Sequence, residues 1–368
     1  MKGLPLVLIF TAMTFVAWGA YGPTLHHGSE AFAKDSLRAF VGVGLAYFLV
    51  AVLIPISIIR GRGESGSWTF TGTVFSIVAG AVGAVGALGI ILALGYGGET
   101  VYVMPFVFGL APVVNTLVTA TISRTFHQIQ PIFLAGIATV ALGAVGVLVF
   151  RSPTSVADSK LDKESVVAAA SSSETQEAAS SSEESTDTTE SSTDSAEKDV
   201  GQFWKIIASM VTAAVCWGSY GPMLHLGQGR MAGSRLRPFV CVGIAYFLIA
   251  VIAPLLLIYG RSADQGSWTL LGMTWSFLAG CAGAIGALGV ILAFNAGGKP
   301  YYVMPLIFGF APVINTFISL SEKGSWHAVQ PLFWISLLVV IAGAVTVLIT
   351  APKPAPPAKP SPASGSTV

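Results

Sequence analysis

Apolar residues run through the chain in ten long blocks, set apart by short polar breaks and by one long polar stretch. Blocks of about twenty apolar residues are long enough to cross a bilayer as helices. Five such helices are predicted in the first half, over residues 4–22, 39–59, 70–96, 101–122 and 130–150. Five more are predicted over 203–222, 238–259, 269–295, 301–321 and 330–350. The predicted fold class is an all-α integral membrane protein with ten transmembrane helices.

The two sets of blocks repeat one another. "YVMPFVFGLAPVVNT", from Tyr102 to Thr116, returns as "YVMPLIFGFAPVINT" from Tyr302 to Thr316. Between 66–120 and 266–320, 30 of 55 positions are identical, which marks an internal duplication. The offset is 199 through Pro55/Pro254 and 200 from Gly66/Gly266. An odd number of helices in each copy forces the second to enter the membrane from the opposite face, so two inverted five-helix repeats are expected. The opening "MKGLPLVLIFTAMTFVAWGAYG" has the basic start and short apolar core of a signal peptide. Its second copy lies in mid-chain, so a retained helix is expected instead.

The repeats divide the chain into residues 1–151, a first five-helix repeat, and 201–350, a second. Between them, 152–200 is an acidic, Ser-rich linker that holds twelve of the eighteen carboxylates, a composition expected to stay disordered and act as a spacer. The Pro-rich tail 351–368 is expected to be disordered as well. The other six carboxylates lie in the breaks, so the apolar blocks contain none. Charged residues make up 10% of the chain, against about 25% in soluble domains. With the N-terminus cytoplasmic, the inside breaks hold Arg60, Arg62, Arg124, Arg230, Arg235, Arg237 and Lys299. The outside breaks then hold only Lys34, Arg38, Arg261 and Lys323, a bias that favours both termini inside a cell membrane and the linker outside. Cys216, Cys241 and Cys281 stand where the first copy has Ala17, Gly42 and Ala81, so they read as packing residues, and no metal or cofactor is expected.

Polar and helix-bending residues mark the candidate site. Pro105, Gly109 and Pro112, with Pro305, Gly309 and Pro312, interrupt the fourth helix of each copy, and are expected to break it. Paired broken helices at matching positions of inverted halves point to a transporter's central site. Asn115 and Thr116, with Asn315 and Thr316, follow directly, as solute contacts or as interhelical hydrogen bonds. The first helix ends "WGAYGPTLHHG" and its copy "WGSYGPMLHLG". These offer Trp18, Tyr21 and His26, and Trp217, Tyr220 and His225, as cavity walls or interface anchors. Arg38 and Arg237, at the mouths of the second helices, read as snorkelling anchors. The glycines at 80, 83, 86 and 89, and at 280, 283, 286 and 289, would let helix backbones approach closely.

This pattern resembles the drug/metabolite transporter superfamily. Two five-helix copies, a Trp-Gly near the end of the first helix and a proline-bearing fourth helix carry the resemblance over about 300 residues. The resemblance implies a central cavity lined by helices one to four and six to nine, with five and ten peripheral. A lysine often stands eight residues after the tryptophan in that family; here the positions hold His26 and His225. The small multidrug branch uses a glutamate within its first helix, which this chain lacks, and that argues against proton-driven export of cationic drugs.

The expected function is a secondary transporter that moves a small polar solute, neutral or weakly anionic, such as a sugar, nucleoside or ureide, by alternating access. The expected partners are that solute and the lipid bilayer; nucleic acid is not expected, and the sequence fits either a monomer or a homodimer. One alternative is a sodium-coupled symporter of another five-plus-five fold with broken fourth and ninth helices; another is a membrane receptor or scaffold. An intramembrane hydrolase is disfavoured: Ser219 lies near His225, but the first copy has Ala20 in its place.

Overall fold

The computed structural model describes residues 4–62, 64–150, 190–260, 266–298, 300–324 and 326–352. Ten helices among them are long and apolar enough to cross a bilayer: α1 (Leu4–Ala31), α2 (Ser36–Gly61), α3 (Phe70–Gly95), α4 (Thr100–Ser123) and α5 (Pro131–Val149) in the first half. In the second half they are α6 (Glu190–Arg230), α7 (Leu236–Tyr259), α8 (Leu270–Asn295), α9 (Pro300–Lys323) and α10 (Pro331–Thr350). Large apolar side chains cover the outside: Leu142 is 73% exposed, Leu256 70% and Leu338 64%. A soluble protein does not expose apolar surface on this scale. Ten such helices and this exposed apolar surface suggest a multi-pass membrane protein.

Several boundaries differ from expectation. α1 and α6 continue to Ala31 and Arg230, about two turns beyond the apolar blocks, because Pro23 and Pro222 do not end them. A helix tolerates a proline that removes one hydrogen bond when packing holds both sides. α6 also starts early, at Glu190, so the last eleven linker residues are helical rather than unstructured. The remaining linker residues through 189, and the tail from residue 353, lie outside the described residues.

The expected break in α4 and α9 is not found. Both run as continuous α-helix through Pro105 and Pro112, and through Pro305 and Pro312. The irregular backbone lies instead in α2 and α7, which widen to π-helix over Leu49–Leu53 and Phe247–Ile252. Each wide turn directly precedes a proline, Pro55 or Pro254. The missing proline N–H and its ring clash disturb the preceding turn, and a π-bulge absorbs both.

The halves pack through reciprocal exchanges. α1 lies on α8 and α9, while α6 lies on α3 and α4; α2 meets α8, and α7 meets α3. The Thr69 hydroxyl accepts from Gly72 N at the start of α3 and donates to Arg230 O of α6. Thr269 does the same for Gly272 N and Ala31 O. One hydroxyl therefore caps one helix and closes the end of another, which are groups that lipid could not satisfy. α5 and α10 pack on each other at the periphery, with Gly143 against Val340 and Gly343 against Val140.

Candidate functional site

Glycines in α3 and α8 bring the halves close enough to build an aromatic chamber. A Cβ on Gly86 would collide with the Trp217 indole, and one on Gly286 with that of Trp18. Each indole thus lies flush on a helix of the other half. Each also donates its Nε1–H to a backbone carbonyl there: Trp18 to Gly283 O at 3.1 Å and Trp217 to Gly83 O at 3.2 Å. The tryptophans are cavity walls, not interface anchors.

The chamber lies where eight helices meet, and α5 and α10 do not reach it. Trp18 and Tyr21 come from α1, Tyr47 from α2, Gly83 from α3, and Phe108 and Ala111 from α4. The second half supplies Trp217 and Tyr220 from α6, Tyr246 from α7, Gly283 and Ala287 from α8, and Phe308 from α9. Its space open to the centre of a water-sized sphere is about 80 Å³. Tyr47 and Tyr246 stack with centroids 3.7 Å apart and planes at 4°, one from each half. Among the described residues no charged side chain lines the chamber, and its polar side-chain atoms are the tyrosine hydroxyls and the committed indole N–H groups.

Four of the sequence-predicted site residues are here: Trp18, Tyr21, Trp217 and Tyr220. The histidines are not. Eight helical residues advance about 12 Å, which carries position 26 from the level of Trp18 to the helix end. There His26 Nε2 lies 3.2 Å from Glu30 Oε1, one turn on, and His225 points outward, exposed. Asn115, Thr116, Asn315 and Thr316 sit about a turn beyond the chamber and do not line it. Asn315 is wholly buried and donates to Thr100 O at 2.8 Å, and Thr116 donates to Pro112 O at 3.0 Å. Asn115 lies half-buried against Gly221 with no hydrogen-bond partner among the described residues. Asn315 is therefore interhelical glue. Asn315→Ala should lower the unfolding free energy by about 1–2 kcal/mol, with Asn115→Ala costing less than half of that. Thermal unfolding of the two variants in one detergent checks the order; equal losses would contradict it.

Arg38 and Arg237 are not snorkelling either. Arg237 Nη1 lies 3.0 Å from Glu64 Oε2, and that carboxylate also accepts from Ser234 Oγ, Arg235 N and Leu236 N. Glu64 of the first half thereby caps α7 of the second. Arg38 pairs with Asp35, which caps its own helix α2, and donates to Gly266 O of the other half at 2.8 Å. Both guanidinium groups tie the halves together beside helix starts instead of reaching for headgroups.

The two ends of the α4–α9 crossing differ. Where α4 starts and α9 stops, Thr100 and Ser319 share a hydrogen bond at 2.7 Å, Lys323 pairs with Glu99 at 2.9 Å, and His27 meets Glu322 at 3.3 Å. With Asn315, these form a polar latch between the halves. At the opposite end the matching positions are Lys299, Pro300, Thr119, Ser123, Leu226, Ile122 and Asn115, a set that holds no carboxylate to pair with its one lysine.

Sequence reasoning missed Tyr47 and Tyr246, Phe108 and Phe308, Ala111, Ala287 and the latch. Phe108 and Phe308 stand inside the repeated fourth-helix phrase, and Tyr47 and Tyr246 repeat in "GLAYF" and "GIAYF". Their recurrence was the available signal. No protein-family model matches the chain, and no curated protein matches it.

Proposed function

We propose that the protein is an alternating-access transporter for a small uncharged solute, built as two inverted five-helix repeats and resembling the drug/metabolite transporters. The observation that carries this reading is the chamber, to which both halves contribute matching residues at the crossing of eight helices. Five spans in each half, with reciprocal contacts between halves, fit a two-fold axis lying in the membrane plane. Such an axis makes the two entrances to the chamber near-equivalent, as alternating access needs.

The chamber narrows the expected solute. With no arginine, lysine or histidine at its wall, a bound anion would face a large desolvation cost without a partner, so the weakly anionic option loses its support. The sodium-coupled alternative rested on broken fourth and ninth helices, and α4 and α9 are continuous. A transport role also fits a wall of aromatic rings with no carboxylate or imidazole among its lining residues.

The latch supplies the test. In this reading its end must part during transport while the other end closes. Thr100→Cys with Ser319→Cys, in a chain whose native cysteines are replaced by alanine, places two thiols where hydroxyls lie 2.7 Å apart. Proteoliposomes loaded with a metabolite extract should release one or more neutral solutes, as read by mass spectrometry. Oxidising the pair should stop that release, and dithiothreitol should restore it. Release that ignores the disulfide, or no release from the wild type, contradicts the proposal.

A further inference from the structure

We propose that the solute is a flat, uncharged aromatic molecule bearing one hydrogen-bonding group, which the Tyr21 hydroxyl engages. This inference rests on the transport reading for its location and deepens it by naming the solute's chemistry. Successive rings around the chamber lie at similar spacings: Tyr21–Trp217 5.8 Å, Trp217–Phe108 6.3 Å, Phe108–Phe308 6.2 Å and Phe308–Trp18 6.3 Å. Aromatic pairs are attractive over about 4.5–7 Å between centroids, so a ring held within this belt meets favourable partners on several sides.

The same wall discriminates against other solutes. Both indole N–H groups are committed to Gly83 O and Gly283 O, so they cannot serve a ligand without abandoning those carbonyls. A sugar would bring more hydroxyls than the tyrosines can match, and each stranded hydroxyl is costly away from water. A carboxylate or an ammonium group would find no opposite charge among the lining residues.

Of the tyrosine hydroxyls around the chamber, one is fully buried without a partner. Tyr21 is 3% exposed, lines the chamber, and its hydroxyl has no hydrogen-bond partner. Buried hydroxyls are usually paired, and of those left unpaired among the described residues only this one belongs to a residue of the chamber wall, which suits a group that arrives with the ligand. Its counterpart Tyr220 is only half-buried. Each half supplies two tyrosine hydroxyls to the wall, and only that of Tyr21 is fully buried without a partner, which favours one orientation of a solute.

Equilibrium binding of radiolabelled phenol to the full-length protein in lipid nanodiscs tests this, with empty nanodiscs subtracting partition into lipid. Phenol should bind saturably, and fluorobenzene, its counterpart without a donor, should compete. Benzoate, benzylammonium and glucose should not compete even at tenfold higher concentration. Tyr21→Phe should weaken phenol about fivefold, the worth of one neutral hydrogen bond, and leave fluorobenzene within about twofold. Tyr220→Phe should change neither. The proposal is overturned by unsaturable phenol binding, by charged or sugar competitors matching phenol, or by Tyr21→Phe weakening phenol and fluorobenzene alike. Phenol binding needs no passage across the bilayer, so its failure is separable from that of transport. Binding without solute release refutes transport and keeps the ligand class; release of sugars or ions without phenol binding does the reverse.

Discussion

Replacing Arg237 with methionine should cost about 3 kcal/mol of stability, among the largest effects of any single substitution here. The change leaves Glu64 without its cationic partner while its side chain remains 19% exposed. Three neutral donors still hold that carboxylate: Ser234 Oγ at 2.6 Å, and Arg235 N and Leu236 N at 3.2 Å. They place it at the positive end of α7, which offsets part of the loss and sets the cost at the low end of the range for a broken buried pair. The double variant Arg237→Met with Glu64→Gln should recover most of the stability, because the amide keeps an acceptor for the helix start and carries no charge. Thermal unfolding in detergent distinguishes these outcomes. A single variant as stable as the wild type, or a double variant worse than the single, would show that the pair does not hold the halves together.

Gly286→Ala should disrupt the chamber more than any equally small change elsewhere. The added methyl meets Trp18 Cδ1 and Nε1, so the indole must leave the face of α8 and abandon Gly283 O. Over-packing of this kind costs about 1–3 kcal/mol, and here the displaced ring has the chamber itself as its nearest free space. Solute release from proteoliposomes should fall at least tenfold, and Trp fluorescence should shift as the ring loses its hydrogen bond. Gly229→Ala is the matched control, since its Cβ would meet nothing. Equal release from the two variants would separate the glycine contact from function.

The ten spans were legible because bilayer thickness imposes a length on apolar blocks that nothing else in the sequence mimics. The glycine positions in α3 and α8 were legible for a related reason, since small residues recurring at one spacing have little other use. What depended on distant partners was not. Arg237 reads as an anchor until Glu64, 173 residues earlier, is placed beside it. His26 reads as a neighbour of Trp18 until the rise of the helix separates them. Phe108 in an apolar run cannot be told from a lipid-facing phenylalanine by sequence, and only its packing against Phe308 and Trp217 assigns it inward. The prolines misled in a specific way: Pro105 and Pro112 stay within regular helix, whereas Pro55 and Pro254, unremarkable in sequence, each follow a π-helical turn.

The central claim is that the chamber faces each side of the membrane in turn. Ala287 lines it, so Ala287→Cys in the cysteine-free chain places one thiol at the wall. In sealed vesicles, an impermeant thiol reagent should modify this cysteine when added from either face alone, at rates that differ because the latch closes only one end. Modification from one face only, or from neither, would contradict alternating access.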